Sequence, residues 1–280
     1  MGTKKYRLTE NHINIGNRIL YQIEALKDFG NVKSGDLGGY IESEENLSQY
    51  DNAWVYGNAQ VHGNAKVYGD AQVYGNAQVY GNAQVFGNAW VFGNAWVCDN
   101  AKVCDNAQVC DNAKVRGDAQ VCGNAEVCGN AQVRGNAQVR GNAEVYGDAE
   151  VYGDAQVYGD AEVYGDAQVR GNAEVYGDAQ VRDNAQVRDN AEVFGNAWVY
   201  GDAEIKSKED YIVFKNWWSS GRYFTWTRSN NMWKVGCFYG TGEELIKKAY
   251  NDSEISGREY ERVVRYVEEI LEENYENKEN

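Results

Sequence analysis

The chain has 280 residues, with 31 glycines, no proline, and 27 basic against 42 acidic groups, for a net charge of −15. Excess acid repels phosphate backbones, which argues against non-specific nucleic-acid binding. No run approaches the roughly 18 apolar residues of a membrane-spanning helix. Irregular glycine-rich protein normally carries proline as well, so these glycines are expected to serve a regular structure.

Residues 1–51 read as a cap. The start, Met1-Gly2-Thr3-Lys4-Lys5-Tyr6, leads into no apolar stretch. The expectation is therefore no secretory signal, a cytoplasmic protein and reduced cysteines. Tyr6-Arg7-Leu8 and Ile19-Leu20-Tyr21-Gln22-Ile23 read as strands, and Asp36-Leu37-Gly38-Gly39-Tyr40-Ile41 leads into an imperfect coil through Leu47. The end of a stacked repeat exposes unpaired backbone and core, so such a covering segment is needed.

Residues 52–206 are a repeat of 26 consecutive units, Asn/Asp-Ala-x-Val-x-Gly/Asp, without insertion or deletion. Val recurs at every sixth position from Val55 to Val199, and Ile205 takes the next place; Ala recurs likewise from Ala53 to Ala203. Alternation within a unit puts Ala and Val on one side and both x residues on the other. Pairs such as Gly57-Asn58 tolerate positive φ and bend the chain. A strand this short cannot bury its apolar face alone, but stacked coils can.

Residues 207–280 change character and read as a small α+β domain. Tyr211–Phe214, Arg222–Thr227 and Trp233–Phe238 are expected strands, with Ser229-Asn230-Asn231 as a turn. Thr241 with Glu244, and Ser256 with Glu259, are capping-box signatures for two helices. The second precedes a helical stripe of Tyr260, Val263, Val264, Val267, Ile270 and Leu271.

With Ala53 two places before Val55, and every later pair alike, the repeat resembles the left-handed β-helix of hexapeptide-repeat proteins. The resemblance implies three units per coil, about nine coils and left-handed winding, which spacing alone does not show. At roughly 4.8 Å per step the rod would be ~40 Å long. Asp28-Phe29-Gly30-Asn31-Val32-Lys33, Gly38-Gly39-Tyr40 and Asn46-Leu47-Ser48-Gln49 resemble the N-terminal segment of YdcK-like hexapeptide-repeat proteins. Val235-Gly236-Cys237-Phe238-Tyr239-Gly240-Thr241 resembles a C-terminal module on similar rods in bacterial and phage proteins, which leaves bacterial and phage or prophage origins both open.

Residues 18 apart then stack on one face. The first face carries Trp54, Tyr56, Tyr74, Trp90, Phe92, Tyr146, Tyr164, Trp198 and Tyr200, and the second carries Trp96 with a basic row including Arg116, Arg134, Arg170 and Arg188. Exposed aromatic rows make contact surfaces, including homo-oligomer interfaces, although stacked rings also stabilise neighbouring strands. The expected interaction surface is Trp54, Trp90, Phe92, Trp96 and Trp198 on the rod, with Trp217, Trp218, Arg222, Trp226 and Trp233 in the C-terminal domain. A small core packed on the last coil competes with that reading of the C-terminal residues. The basic row is read mainly as ion pairing along the rod, because Glu126, Glu144, Glu150 and Glu162 are interspersed. Cys104/Cys122 and Cys110/Cys128 stack one coil apart, within disulfide reach, but free, surface-lying thiols are expected. No four-ligand metal site is available among the cysteines, and Asp148 over Asp166 reads as solvated turn residues rather than a Ca²⁺ pair.

The leading functional reading is a non-enzymatic binding or scaffold protein that needs no cofactor, with a protein partner and no direct nucleic-acid or membrane contact. One alternative is an acidic DNA mimic that inhibits a DNA-binding protein, although the basic row breaks its negative surface. Another is a hexapeptide acyltransferase-like enzyme. Such chemistry needs a general base, and the only histidines are His12 in the cap and His62 on a flat face.

Overall fold

The computed structural model describes residues 4–276; residues 1–3 and 277–280 of the expected end segments lie outside the described residues. The chain opens with β1 (Tyr6–Ile15) and β2 (Arg18–Ala25), an antiparallel pair, and β2 continues antiparallel to β3 (Leu37–Ile41). β3 then pairs in parallel with Gln60–Val61, so the cap turns an antiparallel hairpin into the first strand of a parallel stack. The two expected cap strands are present but longer, since β1 runs on through the exposed polar residues Glu10-Asn11-His12.

Twenty-six short rungs follow, one per unit, from β4 (Trp54–Val55) to β29 (Glu204–Ile205). Each pairs in parallel with the rung 18 residues away, valine to valine: Val91 meets Val73 below and Val109 above. Three units therefore make a coil, and the rungs fall into three sheets of twelve, nine and eight strands, the first including β1 to β3. The repeat alanines and valines are completely buried in one continuous core. Between the ends only these two side chains fill it, and larger residues such as Tyr6, Leu47, Trp54 and Ile205 join it at the cap and the last coil.

The bends explain the glycines. Gly141 has φ +73, and a Cβ there would sit 3.0 Å from the backbone N and O of Gly159 in the next coil. Asp99, Asp105, Asp111, Asp183 and Asp189 hold the same left-handed conformation where a unit carries Asp instead of Gly. Asp99 makes this tolerable because its carboxylate accepts from the Gly117 N–H at 3.0 Å. Gly141→Ala is therefore expected to destabilise the chain by about 1–3 kcal/mol. Gly141→Asp should cost clearly less, because aspartate tolerates this region and gains the inter-coil bond. Denaturant melts of both variants check the order, and equal losses would contradict it.

At the corners, asparagines form ladders. Asn64, Asn82 and Asn100 each donate from Nδ2 to Oδ1 one coil on, at 3.0, 2.9 and 2.9 Å, ending on Asp118. Asparagine can accept from below and donate above, whereas aspartate only accepts, so a ladder stops there.

Both ends of the stack are terminated group by group. At the N-terminal end the first-coil carbonyls need donors. The buried Lys5 ammonium donates to Ala53 O at 2.8 Å, the Tyr40 amide to Ala59 O at 2.9 Å, and Asn46 Nδ2 to Ala65 O at 2.9 Å. At the C-terminal end the last N–H groups need acceptors, and hydroxyls supply them. Thr225 Oγ1 accepts from Trp198 N at 2.8 Å, Ser229 Oγ from Glu204 N at 2.7 Å, and Tyr211 Oη from Phe194 N at 3.4 Å. On each of the three faces the first and the last repeat rung is thus met by a specific side chain or cap backbone group.

Those hydroxyls lie on a four-stranded antiparallel sheet and, for Ser229, on one of its turns: β30 (Tyr211–Lys215), β31 (Tyr223–Thr227), β32 (Met232–Val235) and β33 (Phe238–Gly240). The expected third strand is two, because Gly236 at φ +54 turns the chain within it. Helices α1 (Gly242–Asp252) and α2 (Glu254–Glu276) cover the far side. Thr241 and Glu244 form the expected capping box on α1. The second signature fails: Ser256 lies inside α2, and its N–H donates to Ser253 Oγ at 3.1 Å. The sheet is buried on both faces. Thr225 points to the last coil, while Phe224 and Trp226 join Trp233, Leu245, Ile246, Tyr260, Val264 and Val267 in a second core.

Candidate interaction surface

Three expected contact residues are core residues. Trp54 is 1% exposed, held edge-to-face by Phe29 at 5.3 Å and Tyr6 at 6.0 Å. It occupies an outward repeat position, but its rung is the first of its face and the cap folds over it. Trp226 and Trp233 face each other across the β31–β32 pairing and are buried under the helices. Trp218 is half-buried, edge-on to Tyr260 at 4.9 Å.

What remains exposed falls into two places. On the rod, Trp90 and Trp96 are 45% and 40% exposed, on adjacent faces either side of the Gly93-Asn94 corner, with half-buried Phe92 between them. Lys114 Nζ lies 5.1 Å over the Trp96 ring, a cation–π pair. Trp198 is half-buried beside Tyr200, and the C-terminal Lys234 reaches over both rings. In the C-terminal domain the loop between β30 and β31 carries Trp217, 74% exposed, and exposed Arg222. That loop is anchored by the buried Asn216, whose Nδ2 donates to Tyr260 Oη at 2.9 Å and whose Oδ1 accepts from Ser219 N and Oγ.

Along the rod many outward residues contact the coil above or below. Rings stack coil on coil, as in Tyr56–Tyr74 at 4.5 Å, Tyr158–Tyr176 at 5.0 Å and Tyr146–Tyr164 at 5.3 Å. Half of the basic row pairs with carboxylates as expected, Arg134 with Glu150 at 2.8 Å and Arg188 with Glu204 at 2.7 Å, whereas Arg116 and Arg170 donate to the amide oxygens of Gln132 at 3.4 Å and Gln186 at 3.1 Å. Tyrosine hydroxyls donate to carboxylates, Tyr164 to Glu144 at 2.7 Å and Tyr146 to Glu126. Burial first, then the facing carboxylate, pushes both phenols well above their usual range. His62 stacks on Tyr80 at 5.2 Å, and burial holds its pKa below the ordinary value.

The thiol expectation is overturned. Cys104–Cys122 and Cys110–Cys128 are disulfides, with Cα atoms 4.7 and 4.6 Å apart. The strand spacing alone puts stacked cysteines in bonding range. Nor do these residues lie open: Cys98, Cys104, Cys110 and Cys128 are buried. Cys98 and Cys237 are unpaired by disulfide.

Asp148 accepts from Asn130 Nδ2 at 2.9 Å, so it ends an asparagine ladder, with Asp166 one coil above it. Asp148→Asn is expected to extend the ladder to Asp166 and remove a like-charge contact. The gain should be about 0.5–1.5 kcal/mol. A thermal melt at low salt checks this, and a loss of stability would contradict it.

Parallel rungs in register around a valine–alanine core define a β-solenoid. The family model described as the YdcK beta solenoid repeat matches residues 71–85, 77–91, 83–99 and 155–171. Those matches, with the unbroken stack of about nine coils, make the rod similar to the YdcK beta solenoid repeat. No curated protein matches it. No helix among the described residues is long and apolar enough to cross a membrane.

Proposed function

We propose that the protein is a non-catalytic binding scaffold, in which a rigid rod presents a recognition loop on its C-terminal domain to a protein partner. The observation that carries this reading is Trp217: a large aromatic ring 74% exposed on a loop whose base is tied to the domain core through Asn216. An exposed tryptophan on an ordered loop loses little freedom on binding, and tryptophan and arginine are the side chains most often central to interfaces. The corner formed by Trp90 and Trp96 is the second contact point, suited to another copy of the rod. His62, stacked on Tyr80 along a flat face, has no surrounding loop to form a substrate pocket, which favours binding over acyl transfer.

The test is a pull-down from host lysate, with and without nuclease, using the wild type, Trp217→Ala and Arg222→Ala. A stoichiometric protein captured by the wild type and lost with either variant is the expected result. A partner retained by both variants would overturn the assignment to this loop. A captured DNA-binding protein that free DNA displaces would replace it with DNA mimicry.

A further inference from the structure

The disulfides sit in a setting the rest of the rod does not repeat. In one coil all three bends carry Asp instead of Gly, and each follows a cysteine: Cys98-Asp99, Cys104-Asp105 and Cys110-Asp111. Each aspartate is fixed by the coil above, Asp105 accepting from Gly123 N at 3.1 Å and Asp111 from Gly129 N at 3.1 Å. That bond aims the carboxylate at its neighbouring sulfur, 3.8 Å from Cys104 Sγ and 3.7 Å from Cys110 Sγ. On two faces the coil above supplies a second cysteine, so two sulfurs and one carboxylate oxygen lie within 4.8 Å of one another, twice.

We propose that each trio, Cys104/Asp105/Cys122 and Cys110/Asp111/Cys128, is in its reduced state a three-ligand site for a thiophilic divalent cation such as Zn²⁺ or Cd²⁺. Two thiolates select a soft d¹⁰ cation over Ca²⁺ or Mg²⁺. Three protein ligands leave a fourth position open to water. The Gly123 and Gly129 amides serve as the outer partners that orient a ligating carboxylate. The third face is a natural control: Cys98 and Asp99 stand alike, but the coil above offers Arg116, whose cation excludes another.

Loading follows reduction. A thiol reductant supplies two electrons and two protons, the S–S bond breaks, two protein thiols form, and the reductant leaves as its own disulfide. The cation then binds both sulfurs as their two protons depart, so affinity falls with falling pH. The same pair of coils is therefore either covalently stapled or metal-bridged.

The experiment uses the full chain, reduced with a phosphine, desalted without oxygen and titrated with Cd²⁺. Binding is followed by the thiolate-to-metal absorption and by bound metal per chain. Two equivalents are expected in the wild type and in Cys98→Ser, one in Cys122→Ser or Cys128→Ser, and none in the double variant or the oxidised protein. Asp105→Asn should weaken the Cys104/Cys122 site about 10–100-fold. Arg116→Cys should add a third equivalent. Far-UV circular dichroism confirms that each variant keeps the fold. Less than one equivalent in the reduced wild type, or two retained in the double serine variant, overturns the proposal. Unchanged affinity in Asp105→Asn overturns the three-ligand site.

Discussion

Trp54→Ala is expected to lower stability by about 3–5 kcal/mol, the range for removing a buried aromatic side chain. Trp54 fills the space between the first coil and the cap, against Tyr6 and Phe29, and its ring leaves no room for a side chain at Gly38, where a Cβ would lie 2.7 Å away. Trp90→Ala, at the same position two coils on, removes a half-exposed ring and should cost less than about 1 kcal/mol. Coils contact only their neighbours, so the damage at Trp54 should be local. Hydrogen exchange should show the Tyr40 amide losing protection while amides near Val127 keep theirs. Equal losses of stability in the two variants would mean that the cap does not bury Trp54.

Alkaline pH should unfold the protein through its tyrosines. Burial pushes Tyr80 and Tyr211 from 10.0 up to about 12, and burial together with Glu174 does the same to Tyr158. Tyr6, Tyr146 and Tyr164 are raised further, by burial first and by Glu44, Glu126 and Glu144. A phenol whose pKa is higher folded than unfolded holds its proton more tightly in the native state. Its contribution is fully present below pH 10 and is lost as pH rises through the folded value. Lys5 acts with the opposite sign: burial lowers its pKa to about 8, so the penalty of its buried charge is relieved above that pH. Lys5 and Lys234, the latter also lowered by burial, stand against these six phenols. Thermal midpoints should therefore rise between about pH 8 and 10, as Lys5 sheds its buried charge, and fall steeply between about 10 and 12, less steeply in Tyr146→Phe. A flat profile through pH 12 would refute the argument.

The rod was legible because one spacing dictates its core, its bends and its register. Period two within a unit assigns the inward residues, period six places the bends, and register follows when valine must stack on valine. The ends were not legible to the same depth because each is a unique solution to a local shortage of partners. Lys5 reads as a surface cation, and nothing in its neighbours announces that it closes the carbonyl of Ala53. Trp54 obeys the outward rule of its unit and is buried because it is the first of its face. In the C-terminal sheet, alternation does put Phe224 and Trp226 on one side and Thr225 on the other. Whether that hydrophobic side is a contact surface or a core stays open in the sequence, because the helices that cover it carry their apolar stripe some 20 to 40 residues later. The period places the cysteines on their faces, but free thiols follow only from an assumed reducing compartment, whereas the strand spacing holds Cys104 over Cys122 and Cys110 over Cys128 in bonding range.

The closure of the rod's ends makes its length a dial of direction. The cap is matched to three particular faces, and the terminal sheet to three particular last rungs. Inserting one hexapeptide would carry the terminal sheet with it and swing Trp217 about 120° around the axis, because three units complete a turn. Inserting three would leave its bearing unchanged and raise it by one strand step. A lineage that gains or loses single units would thus re-aim the loop, whereas gains in threes would only extend its reach.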